Sequence, residues 1–219
     1  MSDAGAKGFA KKYWDVNYAS PSEMDGIGNA ANHAKYMKSV FELDFIDISS
    51  VCDLGFGLGH LFEEVLKAFI PYRAVGIEPS KHVFKQVKKR GISPVDSTNL
   101  KLYNLDLLSW CESDRFKKQF DLAICTSVFQ YLTDEEVRTI LPILSKRVKY
   151  MYFSVPTNKE LDRQIEDLDF KDEYAIRRSR SWYQKEIKKH FTFVSNRLLE
   201  SKFHFNEENT FFTDLLFRF

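Results

Sequence analysis

The stretch Asp53-Leu54-Gly55-Phe56-Gly57-Leu58-Gly59 decides how the rest of this sequence is read. It follows the short apolar run 49–54, which has the length of a buried strand. It precedes an amphipathic helix expected over 60–69, with Leu61, Phe62, Val65, Leu66 and Phe69 on one face. Glycines between a strand and a helix let the backbone turn sharply and approach a ligand that a Cβ would block, while the helix N-terminus behind them offers free N–H donors. A nucleoside is expected to sit over this loop. The next strand, 74–77, ends at Glu78, where a carboxylate can accept hydrogen bonds from both hydroxyls of a ribose.

Working outward, Ser80 can cap a helix running to Arg90, and 100–105 and 120–126 read as two further strands. Thr133 and Glu136 have the spacing of a capping box that opens a helix to Lys146, and 149–155 is a fifth strand closed by Pro156. Strands alternating with helices require a parallel, doubly wound sheet, because right-handed crossovers put helices on both faces. After a helix over 181–190 come two β-rich stretches, 191–199 and 210–219, joined by a polar connection; consecutive strands pair antiparallel. The expectation is an α/β fold with a mostly parallel seven-stranded sheet ending in an antiparallel C-terminal hairpin. Without repeats or linkers, 1–219 reads as one domain. Residues 1–45 form a helical cap outside the sheet, most convincingly over 32–43, and 157–182 is inserted before the last helix.

Composition narrows the partners. Thirty-two basic against 31 acidic residues leave a net charge of +1, which gives no long-range attraction to nucleic acid or anionic lipid. Cys52, Cys111 and Cys125 lack CxxC spacing, and two of them fall in strand-like runs, so they read as reduced core residues. No apolar run approaches the ~20 residues that span a bilayer, and the first residues lack an apolar signal core, so a cytoplasmic location is expected. The five histidines are scattered, and no paired cysteines or clustered carboxylates suggest a metal site. The 20 phenylalanines and 10 tyrosines are read as packing residues.

A nicotinamide-binding fingerprint, G-x-G-x-x-G, needs its third glycine where this chain has His60, so that pattern fails by one residue. The loop, with G-I-E-P-S at 76–80, N-L-D-L-L at 104–108 and F-D-L-A-I-C-T-S-V-F-Q-Y-L at 120–132, instead resembles the class I S-adenosylmethionine-dependent methyltransferase family. That resemblance implies S-adenosylmethionine as cofactor. It assigns the methionine part to the backbone of Gly55, Phe56, Gly57 and Gly59, with Asp53 ordering the site. Glu78 becomes the ribose ligand and Pro79 or Ser80 a surface against adenine. Asp106 would accept the adenine amino group, the Leu107 N–H would face a ring nitrogen, and Thr126 with Ser127 would border the amino-acid end.

The chain departs from the family where many small-molecule relatives carry a histidine soon after the fourth strand. Here stand Gln130 and Tyr131, which can orient an acceptor, but neither is an obvious base at neutral pH, so the base stays unassigned. Tyr13, in Tyr13-Trp14-Asp15, either closes over the cofactor or packs on the sheet edge. Arg177, Arg178 and Arg180, in the 157–182 insertion, either hold an anionic group of the substrate or lie on a solvated helix face paired with Asp167, Asp169, Asp172 and Glu173. The N/D-P-P-Y/F segment of base-amino methyltransferases and the paired glutamates of the protein-arginine type are both missing. A small metabolite or glycan precursor is the expected substrate, with oxygen favoured as the acceptor atom on family frequency. A cofactor-binding scaffold without turnover and a nicotinamide oxidoreductase are the alternatives.

Overall fold

In the computed structural model, which describes residues 25–93, 96–114 and 117–219, seven strands form a single sheet. They are β1 (Ser50–Leu54), β2 (Arg73–Ile77), β3 (Asn99–Tyr103), β4 (Phe120–Thr126), β5 (Val148–Ser154), β6 (Phe191–Ser195) and β7 (Leu198–Ser201). Their order is β3-β2-β1-β4-β5-β7-β6. The first five run parallel, and β7 runs antiparallel to both β5 and β6. All five residues of β1 are buried, as befits a strand covered on both faces.

The helices are α1 (Ala30–Leu43), α2 (His60–Phe69), α3 (Lys81–Arg90), α4 (Leu107–Glu112), α5 (Asp134–Arg147), α6 (Asn158–Leu168) and α7 (Arg180–Ile187), with a short turn of helix at Asp25–Gly28. They divide the core in two. Met37 and Phe41 of α1, Phe62 and Leu66 of α2 and Val83 of α3 pack with Val51, Leu122 and Tyr150 on one face of the sheet. Trp110 of α4, Ile140 and Leu144 of α5 and Ile187 of α7 pack with Cys52, Ala123 and Met151 on the other. Successive strand residues therefore point into different cores, and each large apolar side chain fully buried contributes about 1.5–3 kcal/mol. All three cysteines are free and buried within strands or α4, as the sequence suggested. Among the described residues no helix is long and apolar enough to cross a membrane.

Caps set several boundaries. The Thr133 hydroxyl accepts from the Glu136 N–H, and the Glu136 carboxylate from the Thr133 N–H, which completes the expected box. The expected C-terminal hairpin exists, but with other residues. Its strands are β6 and β7, joined by a tight turn at Asn196-Arg197 with Arg197 at φ 65°. Residues 210–219 form no strand; they fold back so that Phe193 and Phe219 exchange backbone hydrogen bonds of 2.9 and 3.0 Å. Two helices, α4 and α6, were not anticipated, and the N-terminal cap is described only from residue 25 onward.

Candidate active site

Between β1 and β4 the strand order reverses, so the carboxyl ends of these two strands open a crevice where α/β sheets take their ligands. The glycine loop leaves β1 at this point, with Gly55 at φ 126° and Gly57 at φ 52°. Neither conformation suits an L side chain. A Cβ on Gly55 would lie 2.7 Å from Val128 Cγ2, so the loop and the turn after β4 meet with no space for one.

The donors of this loop are largely used inside the protein. The Phe56 N–H donates to the Ile77 carbonyl at 3.1 Å and the Gly59 N–H to the Phe56 carbonyl at 2.7 Å. The Gly57 N–H donates to Glu78 Oε2 at 3.0 Å. The expectation that these amides greet a ligand is corrected accordingly: Phe56 contributes a buried ring tilted 40° to that of Phe84, and the glycines contribute space.

Two buried carboxyl groups are what the crevice offers instead. Asp53 and Glu78 are only 4% and 3% exposed. Burial, and then the neighbouring Glu78 charge, push the Asp53 carboxyl well above the usual range. Burial raises Glu78 to about 7 against the opposing pull of the Ser80 and Gly57 N–H groups. Two buried carboxyl groups beside a loop with spent donors offer hydrogen-bond acceptors to a ligand that brings hydroxyls.

Asn104 holds Glu78 in place, a role the sequence did not signal: its Nδ2 donates to the Glu78 and Pro79 carbonyls at 2.8 and 3.0 Å. Pro79 is half-buried on this turn, and Ser80 caps α3 as expected. Asp106 proves to be the N-cap of α4, accepting from the Ser109 N–H at 2.8 Å and the Ser109 hydroxyl at 2.7 Å. Leu107 follows as the first residue of that helix, where backbone N–H groups have no partner within the helix.

Thr126 ends β4 opposite Ser154, and Ser127 follows in the left-handed region at φ 54°, a backbone strain typical of functional sites. A single 3-10 turn, Phe129–Tyr131, comes next. Gln130 is 2% exposed, and its Oε1 has no hydrogen-bond partner. Tyr131 Oη donates to Asp172 Oδ2 at 2.6 Å.

Arg177 and Arg178 are not on a helix face, because α6 stops at Leu168 and α7 starts only at Arg180. Arg178 is buried. Its guanidinium donates to Asp134 Oδ1 at 2.7 Å and to the Phe129 and Leu132 carbonyls at 3.2 and 2.5 Å, and it lies 4.5 Å from the Trp182 ring. Those bonds correct both readings of Arg178: it clamps the turn after β4 and neither faces solvent nor reaches for substrate. Arg177 is exposed and pairs with Asp162. Tyr13 lies outside the described residues. Among the described residues no group of three or more His, Cys, Asp or Glu side chains could hold a metal ion.

Comparison with known proteins agrees with this geometry. Residues 51–150 match the family described as "Methyltransferase domain". That segment holds β1 to β4 and the glycine loop, and the sheet order is the one expected of a class I S-adenosylmethionine-dependent methyltransferase fold. Among solved structures, the plantazolicin methyltransferase BpumL in complex with SAH superposes with a TM-score of 0.63 at 12% identity, covering 82% of this chain and 68% of that one. The methyltransferase domain of bacterial CtHen1-C gives 0.54 at 21%, covering 76% and 90%. The N-methyltransferase NodS from Bradyrhizobium japonicum WM9, in complex with S-adenosyl-L-homocysteine, gives 0.55 at 14%, covering 78% and 86%. At these identities the likeness is one of fold. No curated protein sequence matches the chain.

Proposed function

We propose that this protein transfers a methyl group from S-adenosylmethionine to a small metabolite or glycan precursor, by direct in-line displacement at an acceptor oxygen. The observation that carries the reading is the crevice itself, a glycine loop with no space for a Cβ against Val128 and the buried Asp53 and Glu78 carboxyl groups beside it. When bound, the cofactor supplies a methyl made electrophilic by its sulfonium, so the protein's task is to align a nucleophile and exclude water.

In this reading Glu78 uses its remaining lone pairs for the ribose hydroxyls, and Asp53 orders the site. Gly55, Gly57 and Gly59 leave room for the methionine part. Pro79 lies against the adenine, Asp106 and the Leu107 N–H meet its edge, and Thr126 borders the amino-acid end. Gln130 and Tyr131 address the acceptor, with Tyr13 and Arg177 as outlying contacts. An unpaired buried amide oxygen such as Gln130 Oε1 costs about 1–3 kcal/mol, which an N–H or O–H of a bound acceptor would recover. The likeness to NodS, an N-methyltransferase, makes nitrogen the competing acceptor atom.

A second reading, cofactor binding without turnover, is favoured by one observation: Gln130-Tyr131 stands where a base is usual. Incubation with methyl-labelled S-adenosylmethionine and the small-molecule fraction of a cell extract separates the two. Labelled product supports transfer; none, in a protein that binds S-adenosylhomocysteine, supports the scaffold. The loop has its own test. Gly57→Val puts a β-branched residue at φ 52° and is expected to weaken S-adenosylhomocysteine binding more than tenfold with the circular dichroism spectrum retained. Unchanged affinity would remove the loop from the site.

A further inference from the structure

A cavity of about 1050 Å³ adjoins the crevice through Ser127, which lines it and precedes the Val128 that meets Gly55. Ser154 lines it too, and its carbonyl accepts from the Ser127 N–H at 2.9 Å, so the cavity begins at the carboxyl ends of β4 and β5. From there it runs past α6 and α7 to the β6–β7 hairpin and the last residues of the chain. Small-molecule sites span about 300–1,000 Å³, so this one has room for an acceptor with an extended body. Phe153, Phe193, Phe217 and Phe219 supply an aromatic wall, with the rings of Phe193 and Phe219 stacked 5.2 Å apart.

We infer that this cavity receives the methyl acceptor, and that Arg163 of α6 and Arg180 of α7 select one with an anionic head, a carboxylate or a phosphate, on an apolar body. The conclusion rests on the methyltransferase reading above. Both arginines line the cavity, and among the described residues neither has an ion-pair partner. For Arg163 this is informative. Glu160, Glu166 and Asp167 stand three or four positions away on the same helix, the spacing at which a solvated arginine finds a carboxylate, yet it pairs with none of them. Of the arginines near the end of the 157–182 segment, Arg177 is taken by Asp162 and Arg178 by the turn after β4, whereas Arg180 is left facing the cavity.

The acidic residues on the same lining are committed to the backbone. Glu160 Oε2 accepts from the Thr157 N–H at 2.7 Å. Asp44 Oδ1 accepts from the Thr213 N–H and hydroxyl at 3.0 and 2.7 Å, and Asp214 Oδ1 from the Leu216 N–H at 3.0 Å. Asp44 and Asp214 also sit with the chain's tail, away from α6 and α7. The uncommitted donors are thus guanidinium groups, whose planar forks match the paired oxygens of a carboxylate or phosphate. With its head on Arg163 and Arg180 and its body along the phenylalanines, an acceptor can present its nucleophilic atom at Ser127, where the cavity meets the crevice.

NMR titration of the full chain, with and without saturating S-adenosylhomocysteine, tests this with four probes: 3-phenylpropanoate, phenyl phosphate, 3-phenylpropanol and 3-phenylpropylamine. The two anions are expected to bind more tightly than the alcohol and the amine, and the tighter anion names the head group. Their binding should shift the backbone amide signals of both Arg180 and Ser127. The double variant Arg163→Gln/Arg180→Gln is expected to lose about tenfold or more in anion affinity while its affinity for the alcohol stays unchanged; both side chains are exposed, so the variant should fold. An amine bound as tightly as the anions, or anion affinities unchanged in the double variant, would overturn the selection. Shifts at Arg180 with none at Ser127 would overturn the acceptor role. If S-adenosylhomocysteine itself does not bind, the functional reading is what fails, and the titrations without it still decide what the cavity takes.

Discussion

Glu78 is almost wholly out of water, yet it carries a charge in the form that binds sugar hydroxyls, and burial raises it to about 7. The sign of the resulting pH dependence follows. Ribose hydroxyls donate to the carboxylate, so a proton on Glu78 competes with the ligand, and the protonated fraction grows as pH falls below 7. The affinity for S-adenosylhomocysteine should therefore drop about tenfold from pH 8 to pH 6, with proton release on binding near neutrality. Calorimetry in buffers of differing ionisation enthalpy measures both, and a flat profile would place the ribose elsewhere. Glu78→Ala is expected to weaken binding by about 1–3 kcal/mol at pH 8. The residue was legible because a carboxylate ending the strand after a glycine loop has few other uses. Asn104, which fixes the same turn, was not, since an asparagine between strand and helix has many roles and only the fold shows that it reaches the Glu78 and Pro79 carbonyls.

Among the elements, most of the parallel strands were readable because they are short, largely apolar runs bounded by turn residues. β3 shows instead an alternation of half-buried Leu100 and Leu102 with exposed Asn99 and Lys101, and α5 announced itself through Thr133 and Glu136. The turn after β4 was not readable as a rigid object. Its stiffness comes from Arg178, which lies 46 positions beyond Leu132 and looked like one of several surface arginines. Arg178→Met keeps the length of the side chain and its contact with Trp182, but leaves the Phe129 and Leu132 carbonyls without this donor and Asp134 without its partner. A loss of about 1–3 kcal/mol in urea unfolding is expected. Faster hydrogen exchange should be confined to residues 127–132. Unaltered exchange there would mean that the turn holds itself and that Arg178 serves only the packing of α7.

Across the whole molecule, the least legible part was how the chain finishes its sheet. Phe211, Phe212, Phe217 and Phe219 make 210–219 resemble a strand, but Phe211 and Phe217 are each 62% exposed and Leu216 84%, an exposure no internal strand would show. The strand is Leu198–Ser201, and the tail is tied to it by a long-range ion pair that composition does not reveal. Glu200 is fully buried. Its Oε2 receives Arg218 Nε at 3.1 Å and Nη2 at 2.5 Å, while the Thr210 hydroxyl donates to Oε1 at 2.6 Å. Because the Arg218 side chain is only 6% exposed, removing one partner strands the other charge away from water. Glu200→Leu or Arg218→Met alone should therefore cost about 3–5 kcal/mol, whereas the double variant should recover much of that loss, since a buried pair replaced by apolar groups is often near neutral. Urea midpoints for the four proteins close the cycle. Additive losses would show that each residue acts through separate contacts and that the tail is held by its phenylalanines instead. A coupling of more than about 1 kcal/mol would assign the fold of 202–219 to the pair.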